Sequence, residues 1–476
     1  MEKNQQQISN FNTSGLVQSL VFTSDPQYPW TDCQDSFAFQ NCNISNVLPC
    51  QGPFGDAEDR GTRRWRSEHL IREQYNNINS YTEDIATGNR NRPAAVIANG
   101  DITAFGHNHT FSPERQWDMM RGTTFTRGLF DVLARPLYFG LGNHDLDTNC
   151  GSDGNTCFGA SMDAIRFHVL GHRLPANHFD MSTEGLRHVG SFAYQVTFGR
   201  ICSIQLNDFP TFDRRSIASH IRENYDWLRN RLRVARNDGR IIIINLHQPH
   251  RLTQRYIALF QEFGVAAIFG GHWHNTVGRS GSAGNIPIFL SGGASQRTYL
   301  ILEQFQNRLE IYAVRCNDWR GNRQRVATIP IPENILYGNF KVITALNNSS
   351  LVDMSINSRD NSNVHLWHDQ NQRNAQWDFR YNPPRGAYML RNLHNINRVL
   401  AADTVNTRNV FAYPINPAFN DQFWILEPNQ GGYIFRNFRN QNLVLDVSNS
   451  NTANGTNIQV HPFNGSAAQR FRLQRV

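Results

Sequence analysis

The chain has 476 residues, more than one hydrophobic core usually organises, so two or three domains are expected. A hydrophobic content of 39% and an aromatic content of 11% fit a globular protein, and no apolar run reaches the roughly 20 residues that span a bilayer. The net charge of +7 is modest for this length and forms no dense basic stripe, so no nucleic-acid partner is expected.

Lysine is almost absent, because Lys3 and Lys341 are the only two and arginine supplies every other basic side chain. Arginine stays charged where lysine titrates, so the bias suits an alkaline setting and resembles Lys-poor inclusion proteins of insect-pathogenic bacteria. Genomic compositional bias is the alternative. The first residues lack the basic and apolar regions of a secretory signal, and extracellular or inclusion-body-like release is the favoured localisation.

Up to about residue 335, short apolar runs alternate with helix-like stretches, the pattern of a layered α/β fold. Helices are predicted at Ser67–Tyr75 and Ile221–Ala235. Most of the apolar runs are continuous, which is typical of strands covered on both faces. The predicted strands are Leu16–Thr23, Ala94–Ala98, Pro136–Leu141, Ile241–Leu246, Val265–Phe269 and Ile286–Leu290.

Polar clusters follow five of these predicted strands. In open α/β sheets, side chains beyond the carboxyl ends of strands gather at one ligand-binding edge. We therefore expect the five clusters to converge on one spot. They are Asp25, Asp101, Asn143-His144-Asp145, His247 and His272-Trp273-His274.

The order of these clusters resembles the calcineurin-like metallophosphoesterase superfamily, whose pattern is Asp-x-His, Gly-Asp, Gly-Asn-His-Asp/Glu, a lone His and Gly-His-x-His. The resemblance covers roughly residues 15–315. It implies a β-sandwich flanked by helices and two divalent ions, of Mn, Fe, Mg or Zn. The implied ligands are Asp101 as the bridge, Asp25 and His274 for the first ion, and Asn143, His247 and His272 for the second.

The implied reaction is hydrolysis of a phosphomonoester or phosphodiester by a hydroxide that bridges the two ions. His144 is expected to protonate the leaving group or steady the transition state, with Asp145 orienting its ring. Gln27 stands where the family usually has histidine, and a glutamine oxygen suits a hard cation better than a soft one. Gln27 is either a metal ligand or a neighbouring or solvent-facing residue, and both readings stay open.

Other residues near the motifs have two readings, as pocket residues or as ordinary loop packing. They are His107, His109, His250, Trp30, Phe105 and Trp273. We hypothesise that the segment between Asp25 and the helix predicted at Ser67 is a lid or specificity insert, because it is long for a connection. Among seven cysteines, at least one stays unpaired within the chain; the candidate disulfides are Cys150–Cys157 and one pair among Cys33, Cys42 and Cys50, with reduced thiols as the alternative.

From about residue 340 the sequence becomes rich in asparagine and short strands, without a helix signal. Three units of about 45 residues recur there, and Trp377, Trp424 and Phe471 are each 47 residues apart. These units end in variants of Gln-x-Trp and resemble the ricin-B-type β-trefoil lectin domain. The predicted domains are an α/β metallophosphoesterase domain, residues 1–335, and an all-β trefoil, residues 336–476.

The trefoil resemblance implies sugar sites in which an aromatic ring stacks on the sugar and an aspartate binds its hydroxyls. The expected partners are therefore a phosphate-ester substrate and glycans on a cell surface or glycoprotein. The alternative is a carbohydrate-binding toxin or crystal-inclusion protein with a degenerate phosphoesterase scaffold. The candidate residues are Asp353, Trp367 and Asn374 in the first repeat, Asp403 and Tyr413 with Asp421 in the second, and Asp446, Gln459 and His461 in the third.

Overall fold

The computed structural model describes residues 15–29, 42, 60–82, 93–106, 115–146, 154–332, 334–357 and 362–476. These residues form two compact units. The first contains the described residues up to 332, apart from 236–239 and 262–264. The second contains those two short segments and residues 334–476. The predicted classes, α/β followed by all-β, are confirmed.

Two six-stranded sheets build the first unit. In spatial order, one consists of β16 (Arg323–Pro330), β15 (Arg308–Val314), β14 (Tyr299–Phe305), β1 (Leu16–Thr23), β2 (Pro93–Asn99) and β3 (Leu137–Gly140). The other consists of β12 (Val277–Ala283), β13 (Ile286–Ser291), β11 (Ala267–Gly270), β10 (Ile241–Asn245), β7 (Ile201–Gln205) and β6 (Tyr194–Phe198). Strands β1, β2 and β3 run parallel, as do β7, β10, β11 and β13.

Helices and a small sheet complete the first unit. The small sheet joins β4 (Ser182–Glu184), β5 (Arg187–Gly190), β9 (Ser219–Ile221) and β8 (Arg214–Arg215). The α-helices are α1 (Arg60–Thr82), α2 (Gln116–Arg121), α3 (Asn143–Leu146), α4 (Gly154–Gly171), α5 (Tyr225–Asn237) and α6 (Gln254–Glu262). Both predicted helices are present, although α1 is longer than its prediction and α5 begins later. Among the described helices, none combines the length and the hydropathy that crossing a membrane requires.

The two large sheets pack face to face through apolar side chains. Phe22 of β1 stacks on Phe269 of β11 with ring centroids 3.8 Å apart, and Phe269 also packs against Phe289 of β13. The isoleucines of β10 are fully buried, as their continuous apolar run predicted. Each such side chain stabilises the fold by roughly 1.5–3 kcal/mol. This packing holds the carboxyl ends of β1, β2, β3, β10 and β11 close to one another.

The second unit is a trefoil of twelve strands. Strands β17, β20, β21, β24, β25 and β28 pair in a closed ring, and three hairpins, β18–β19, β22–β23 and β26–β27, complete the three repeats. The strands are β17 (Gly338–Thr344), β18 (Leu351–Met354), β19 (Val364–Trp367), β20 (Gln376–Asn382), β21 (Ala387–Asn392), β22 (Arg398–Ala402), β23 (Val410–Pro414), β24 (Trp424–Asn429), β25 (Gly432–Asn437), β26 (Leu443–Val447), β27 (Ile458–Pro462) and β28 (Phe471–Arg475).

The repeated tryptophans serve the trefoil core. Trp377 and Trp424 are fully buried and donate their indole N–H to the carbonyls of Val352, at 2.8 Å, and Leu400, at 2.9 Å. Because the two bonds repeat at equivalent ladder positions, they tie the first and second hairpins to the ring of strands in the same way, whereas the third repeat has Phe471 at this position.

Three asparagines, one from each repeat, close a cycle of hydrogen bonds. The amide of Asn363 donates to Asn457 at 3.2 Å, Asn457 donates to Asn409 at 2.9 Å, and Asn409 donates to Asn363 at 3.1 Å. Each side chain thus donates once and accepts once within the ring. Three equivalent positions around a pseudo-threefold axis are needed to close such a cycle, so the ring links all three hairpins.

The disulfides differ in part from the prediction. Cys42 pairs with Cys316, 274 residues away, and not with a cysteine of its own loop. Cys157 is also disulfide-bonded, and its predicted partner Cys150 lies outside the described residues, as do Cys33 and Cys50. Most of the segment in the lid hypothesis, residues 30–41 and 43–59, lies outside the described residues as well. A partner so distant in sequence could not be inferred from local cysteine spacing.

Candidate functional site

The five polar clusters meet at one edge of the sandwich. Asp25 follows β1, Asp101 follows β2, Asn143 follows β3, His247 follows β10 and His272 follows β11. Both large sheets contribute, because their parallel strands end at the same edge.

The backbone at this edge adopts conformations that L-residues normally avoid. Asp25, Gln27, Asp101 and His272 have φ angles of 53°, 43°, 50° and 73°. Such left-handed residues cost on the order of 1–3 kcal/mol each and persist where surrounding contacts enforce them. Glycine is needed beside them at Gly271, where an added Cβ would lie 2.6 Å from a carboxylate oxygen of Asp25. The turns are therefore built to bring side chains inward.

Two groups of ligand-type side chains share Asp101. One group is Asp101, His247 and His272, and the other is Asp25, Asp101 and His274. Within each group, one candidate ligand atom per residue lies within 4.8 Å of the others. Nε2 of His247 is 2.9 Å from Oδ2 of Asp101, and Nε2 of His274 is 3.2 Å from Oδ1 of Asp25. A carboxylate shared by two such groups can serve two neighbouring cations.

Asn143 adds an amide oxygen to the first of these groups. Its Oδ1 lies 3.1 Å from Nε2 of His247 and 3.0 Å from Nδ1 of His272. The structure thus brings together the three residues that the sequence predicted as ligands of the second ion.

The buried carboxylate of Asp25 fits a cation. Its Oδ2 accepts a hydrogen bond from the backbone N–H of His272 at 3.0 Å, whereas its buried Oδ1 accepts none. A buried carboxylate oxygen that accepts no well-formed hydrogen bond, with Nε2 of His274 beside it at 3.2 Å, is costly, and a positive ion would satisfy it. The surrounding oxygens and imidazole nitrogens are the donors that Mn, Fe and Zn use in proteins. The residues present therefore fit divalent ions.

Gln27 lies inside the site and not on its surface. Its side chain is buried, with Nε2 3.3 Å from Oδ2 of Asp101 and 3.2 Å from Nε2 of His274. Turning the amide by half a rotation would place Oε1 where Nε2 now lies. The solvent-facing reading of Gln27 is thereby excluded.

His144 is held by a partner that the sequence did not reveal. Its backbone N–H donates to Oδ1 of Asp101 at 2.7 Å, and its ring Nδ1 lies 2.9 Å from the carbonyl oxygen of Ala104. The carbonyl can only accept, so Nδ1 carries the proton of this bond.

Asp145, which was expected to orient that ring, is hydrogen-bonded to backbone groups of the neighbouring turns. Its carboxylate accepts backbone N–H groups from Ile102 at 3.0 Å, Thr103 at 2.9 Å and Gly142 at 3.0 Å. Because these bonds reach two different turns, Asp145 ties the turn after β2 to the turn after β3.

The protein's own charges set the protonation of the cluster. Burial opposes charge on Asp101, but His247 and His144 outweigh it and hold the pKa of Asp101 below its ordinary value. Burial also opposes charge on His247, yet Asp101 and Asp25 raise the pKa of His247 to about 10. Burial, followed by the charge of His247, lowers the pKa of His272 to about 4. Positive charge is thus favoured between the two aspartates, where a cation would replace a proton.

A sixth strand end, that of β7, belongs to the site and was not predicted. Asp208 follows this strand and accepts a hydrogen bond from Nε2 of Gln248 at 2.9 Å. That nitrogen is also 3.3 Å from Oδ1 of Asn143. Burial is the largest cause that raises the pKa of Asp208 to about 7. The available signal was weak, because Ser203 and Gln205 interrupt the apolar run of β7 before the polar residues Asn207 and Asp208.

The remaining pocket candidates divide into two sets. His250 and Trp273 are exposed beside the cluster, and Phe105 is half-buried. Trp30, His107 and His109 lie outside the described residues.

Strand register aligns the three trefoil repeats. Trp367, Tyr413 and His461 occupy equivalent positions on the second strands of the hairpins. Asp353 and Asp446 are likewise equivalent, paired with His365 and Gln459.

The second repeat departs from the prediction for Asp403. Its residue equivalent to Asp353 is Ala401, paired with Phe411. The carboxylate of Asp403 instead accepts the backbone N–H groups of Val405, Asn406 and Thr407 at 2.9–3.0 Å. Asp403 therefore caps a turn. Asp421 is half-buried near this repeat.

The first repeat forms a cavity of about 490 Å³ that Asp353 and Trp367 line. Asn374 donates to both carboxylate oxygens of Asp353, at 2.8 and 3.0 Å, and Nε2 of His365 lies 3.2 Å from one of them. His365 was missed from sequence, because nothing in its neighbourhood marks it as facing Asp353. In the third repeat, Gln459 donates to Asp446 at 2.9 Å.

Two family models match the chain. A model for calcineurin-like phosphoesterases matches residues 20–276, and a model for ricin-type beta-trefoil lectin domain-like sequences matches residues 373–461. No curated protein matches the chain.

Three solved structures show weak similarity. A mosquitocidal holotoxin is 24% identical over 40% of this chain, which spans 25% of the toxin, with a TM-score of 0.28. The designed protein ThreeFoil is 22% identical, covering 29% of this chain and 99% of its own, with a TM-score of 0.27. A ricin B-like lectin of Macrolepiota procera in complex with lactose is 19% identical, covering 30% and 99%, with a TM-score of 0.25.

Proposed function

Because the chain belongs to the calcineurin-like phosphoesterase family, we propose that it is a metal-dependent hydrolase of phosphate esters that also binds glycans. The proposed domains are residues 1–335 for hydrolysis and 336–476 for glycan binding. One observation carries the hydrolase proposal: buried Asp101 is shared by two ligand groups, each with its ligand atoms within 4.8 Å.

The two proposed sets of metal ligands have Asp101 in common. Asp101 would bridge two divalent ions, with Asp25, Gln27 and His274 on one side and Asn143, His247 and His272 on the other. When bound, these ions would lower the pKa of a shared water and neutralise phosphate oxygens.

We assign His144 the proton that the leaving oxygen needs. The carbonyl of Ala104 holds Nδ1–H, so His144 would donate the Nε2 proton from its imidazolium form and become the neutral Nδ1–H ring. Asp145 keeps the two turns around His144 and Asp101 in register through its three backbone hydrogen bonds. Asp145 is therefore proposed as a positioning residue, which acts through these turns and not on the reacting atoms directly.

The trefoil would bind sugar chiefly through its first repeat. Asn374 and His365 fix the carboxylate of Asp353 beside the half-exposed ring of Trp367. A fixed carboxylate and an accessible ring are the two elements that recognise sugar hydroxyls and C–H faces. The third repeat, with His461 in the ring position, offers a weaker second site.

Hydrolysis of p-nitrophenyl phosphate and bis-p-nitrophenyl phosphate tests the enzyme proposal. With Mn²⁺, we expect turnover that falls by at least about 100-fold in Asp101→Ala and in His144→Ala, since each removes a group needed in the transition state. Asp163→Asn is the control, because Asp163 is exposed on α4 and pairs only locally with Arg166. Absence of turnover with Mn, Fe, Mg and Zn would contradict the proposal.

A further inference from the structure

An exposed aromatic corner adjoins the metal cluster. Trp273 lies between His272 and His274 in the chain, and 55% of its side chain is exposed. The ring of His250 stacks on that of His272, with centroids 5.4 Å apart and planes 28° apart. The same His250 ring meets Trp273 at 6.0 Å and 64°. The rings thus form a continuous path from the cluster to its rim.

Trp273 is the most exposed of the described tryptophans, ahead of Trp65, which is 47% exposed. Trp117, Trp377 and Trp424 are fully buried, as the large apolar area of tryptophan favours. The turn that presents Trp273 is held by backbone hydrogen bonds. The backbone N–H of Trp273 donates to the carbonyl of Gly271 at 2.9 Å, and the carbonyl of Trp273 accepts from the backbone N–H of Thr276 at 2.9 Å. An exposed ring on a fixed turn beside a reactive cluster is suited to contact a ligand.

The rings of Trp273 and His250 meet at this corner with centroids 6.0 Å apart. The neighbouring guanidinium of Arg251 lies 3.9 Å from the centroid of the Phe209 ring. The corner therefore offers two adjacent aromatic faces, a surface on which planar rings stack.

We propose that Trp273 and His250 bind a planar aromatic ring of the substrate. The substrate class is then a phosphate ester that carries an aryl group or a nucleobase close to its phosphorus. This inference rests on the proposed phosphoesterase function and adds the part of the substrate that does not react. Stacking of a base on an aromatic side chain typically gives roughly 5- to 150-fold in affinity.

Matched pairs of esters test the proposal while keeping the leaving oxygen that of a primary alcohol. Adenosine 5′-phosphate and ribose 5-phosphate both release a primary ribose hydroxyl, and only the first carries a base. Benzyl phosphate and cyclohexylmethyl phosphate both release a primary alcohol, and only the first carries a planar ring. For a diesterase, the methyl diesters of the same four compounds are used. The first pair tests nucleobases and the second tests aryl groups.

In the wild type with Mn²⁺, we expect kcat/KM to favour the ring-bearing member of at least one pair by about tenfold or more. Trp273→Ala should bring that ratio close to one, Trp273→Phe should keep most of it, and His250→Ala should lower it partly. Phe125→Ala is the control, because Phe125 is 95% exposed in the loop after α2. A wild-type ratio near one in both pairs, or a ratio that survives in Trp273→Ala, would overturn the proposal.

Binding separates failure of this inference from failure of the proposed function. If the wild type hydrolyses none of the esters, calorimetric titration with adenosine 5′-phosphate and with benzyl phosphate decides. Binding of either that Trp273→Ala weakens at least tenfold supports the aromatic corner while contradicting the phosphoesterase proposal. Binding of neither contradicts both.

Discussion

Gln27 is the residue where this site departs most from its family pattern. It is buried between Asp101 and His274, at distances of 3.3 and 3.2 Å, and so lies beside two of the proposed ligands. Its carbonyl oxygen is harder than the imidazole nitrogen expected there, and hard oxygen ligands bind Zn²⁺ less tightly than imidazole does. The departure should therefore tune which ion is held beside Asp25.

Gln27→His should tighten Zn²⁺ binding at the weaker of the two sites by about tenfold or more, because imidazole is the better ligand for that ion. Competition titration with a chelating dye measures the two Kd values. Gln27→Ala is the matched comparison and should weaken the same site. Equal Zn²⁺ affinities in all three proteins would show that residue 27 does not contact an ion.

Single residues also mark the limit of what the sequence could predict. The metal-cluster residues were predicted because each follows an apolar strand in a recognisable motif. The partner of His144 was not, because Ala104 contributes a backbone carbonyl and leaves no side-chain signature. Asp208 was missed because its strand, β7, contains Cys202, Ser203 and Gln205 and so breaks the continuous apolar pattern.

At the scale of elements, the trefoil depends on equivalence between hairpins that are not neighbours in sequence. The ring of Asn363, Asn409 and Asn457 contains three hydrogen bonds of 2.9–3.2 Å. Removing one member breaks two of them and leaves a donor on one neighbour and an acceptor on the other without their partners. Only the hydrogen bond between the other two asparagines then remains to link their hairpins.

Asn409→Ala should lower the free energy of unfolding of the trefoil by about 1–3 kcal/mol, the usual cost of leaving a partly buried amide unpaired. Urea denaturation followed by tryptophan fluorescence measures the change. Asn451→Ala is the control, since Asn451 is exposed and only accepts from the nearby N–H of Ala453. Similar losses in the two variants would mean that the ring adds no stability of its own.

Register explains why repeats aligned by sequence misplaced Asp403. The hairpins differ in length, so the ladder position of Asp353 recurs 48 residues later at Ala401 and a further 45 residues later at Asp446. Sequence comparison favoured the nearest aspartate instead. Strand pairing, which depends on contacts across the hairpin, was required to see the difference.

The three aspartates should consequently differ in their effects on glycan binding. Asp353→Ala should weaken binding by about tenfold or more, because the carboxylate that Asn374 and His365 orient is lost. Asp446→Ala should have a smaller effect, and Asp403→Ala should leave affinity unchanged while loosening its turn. Glycan-array binding followed by titration with the best ligand measures all three. The reverse order would move the sugar site to another repeat.

At the scale of the whole molecule, the proposed glycan-binding module, covalently joined to the proposed hydrolase, would change where hydrolysis occurs and not how it occurs. Effective concentrations for tethered sites are in the millimolar range for short flexible linkers. A weak sugar interaction would therefore be sufficient to hold the chain near phosphate esters on a glycan-bearing surface. The proposed chemistry at Asp101 and His144 would not change.

Disabling the first-repeat pocket should therefore separate two activities of the intact chain. In Trp367→Ala, we expect unchanged kcat/KM on a soluble ester and at least about tenfold slower hydrolysis of the same ester displayed on glycan-coated beads, because the local enzyme concentration falls. Adding the free glycan to the wild type should reproduce the loss on beads without affecting the soluble reaction. Asp163→Asn serves again as the control. If both reactions slow equally in Trp367→Ala, the trefoil acts on the hydrolase itself; if neither slows, tethering does not operate.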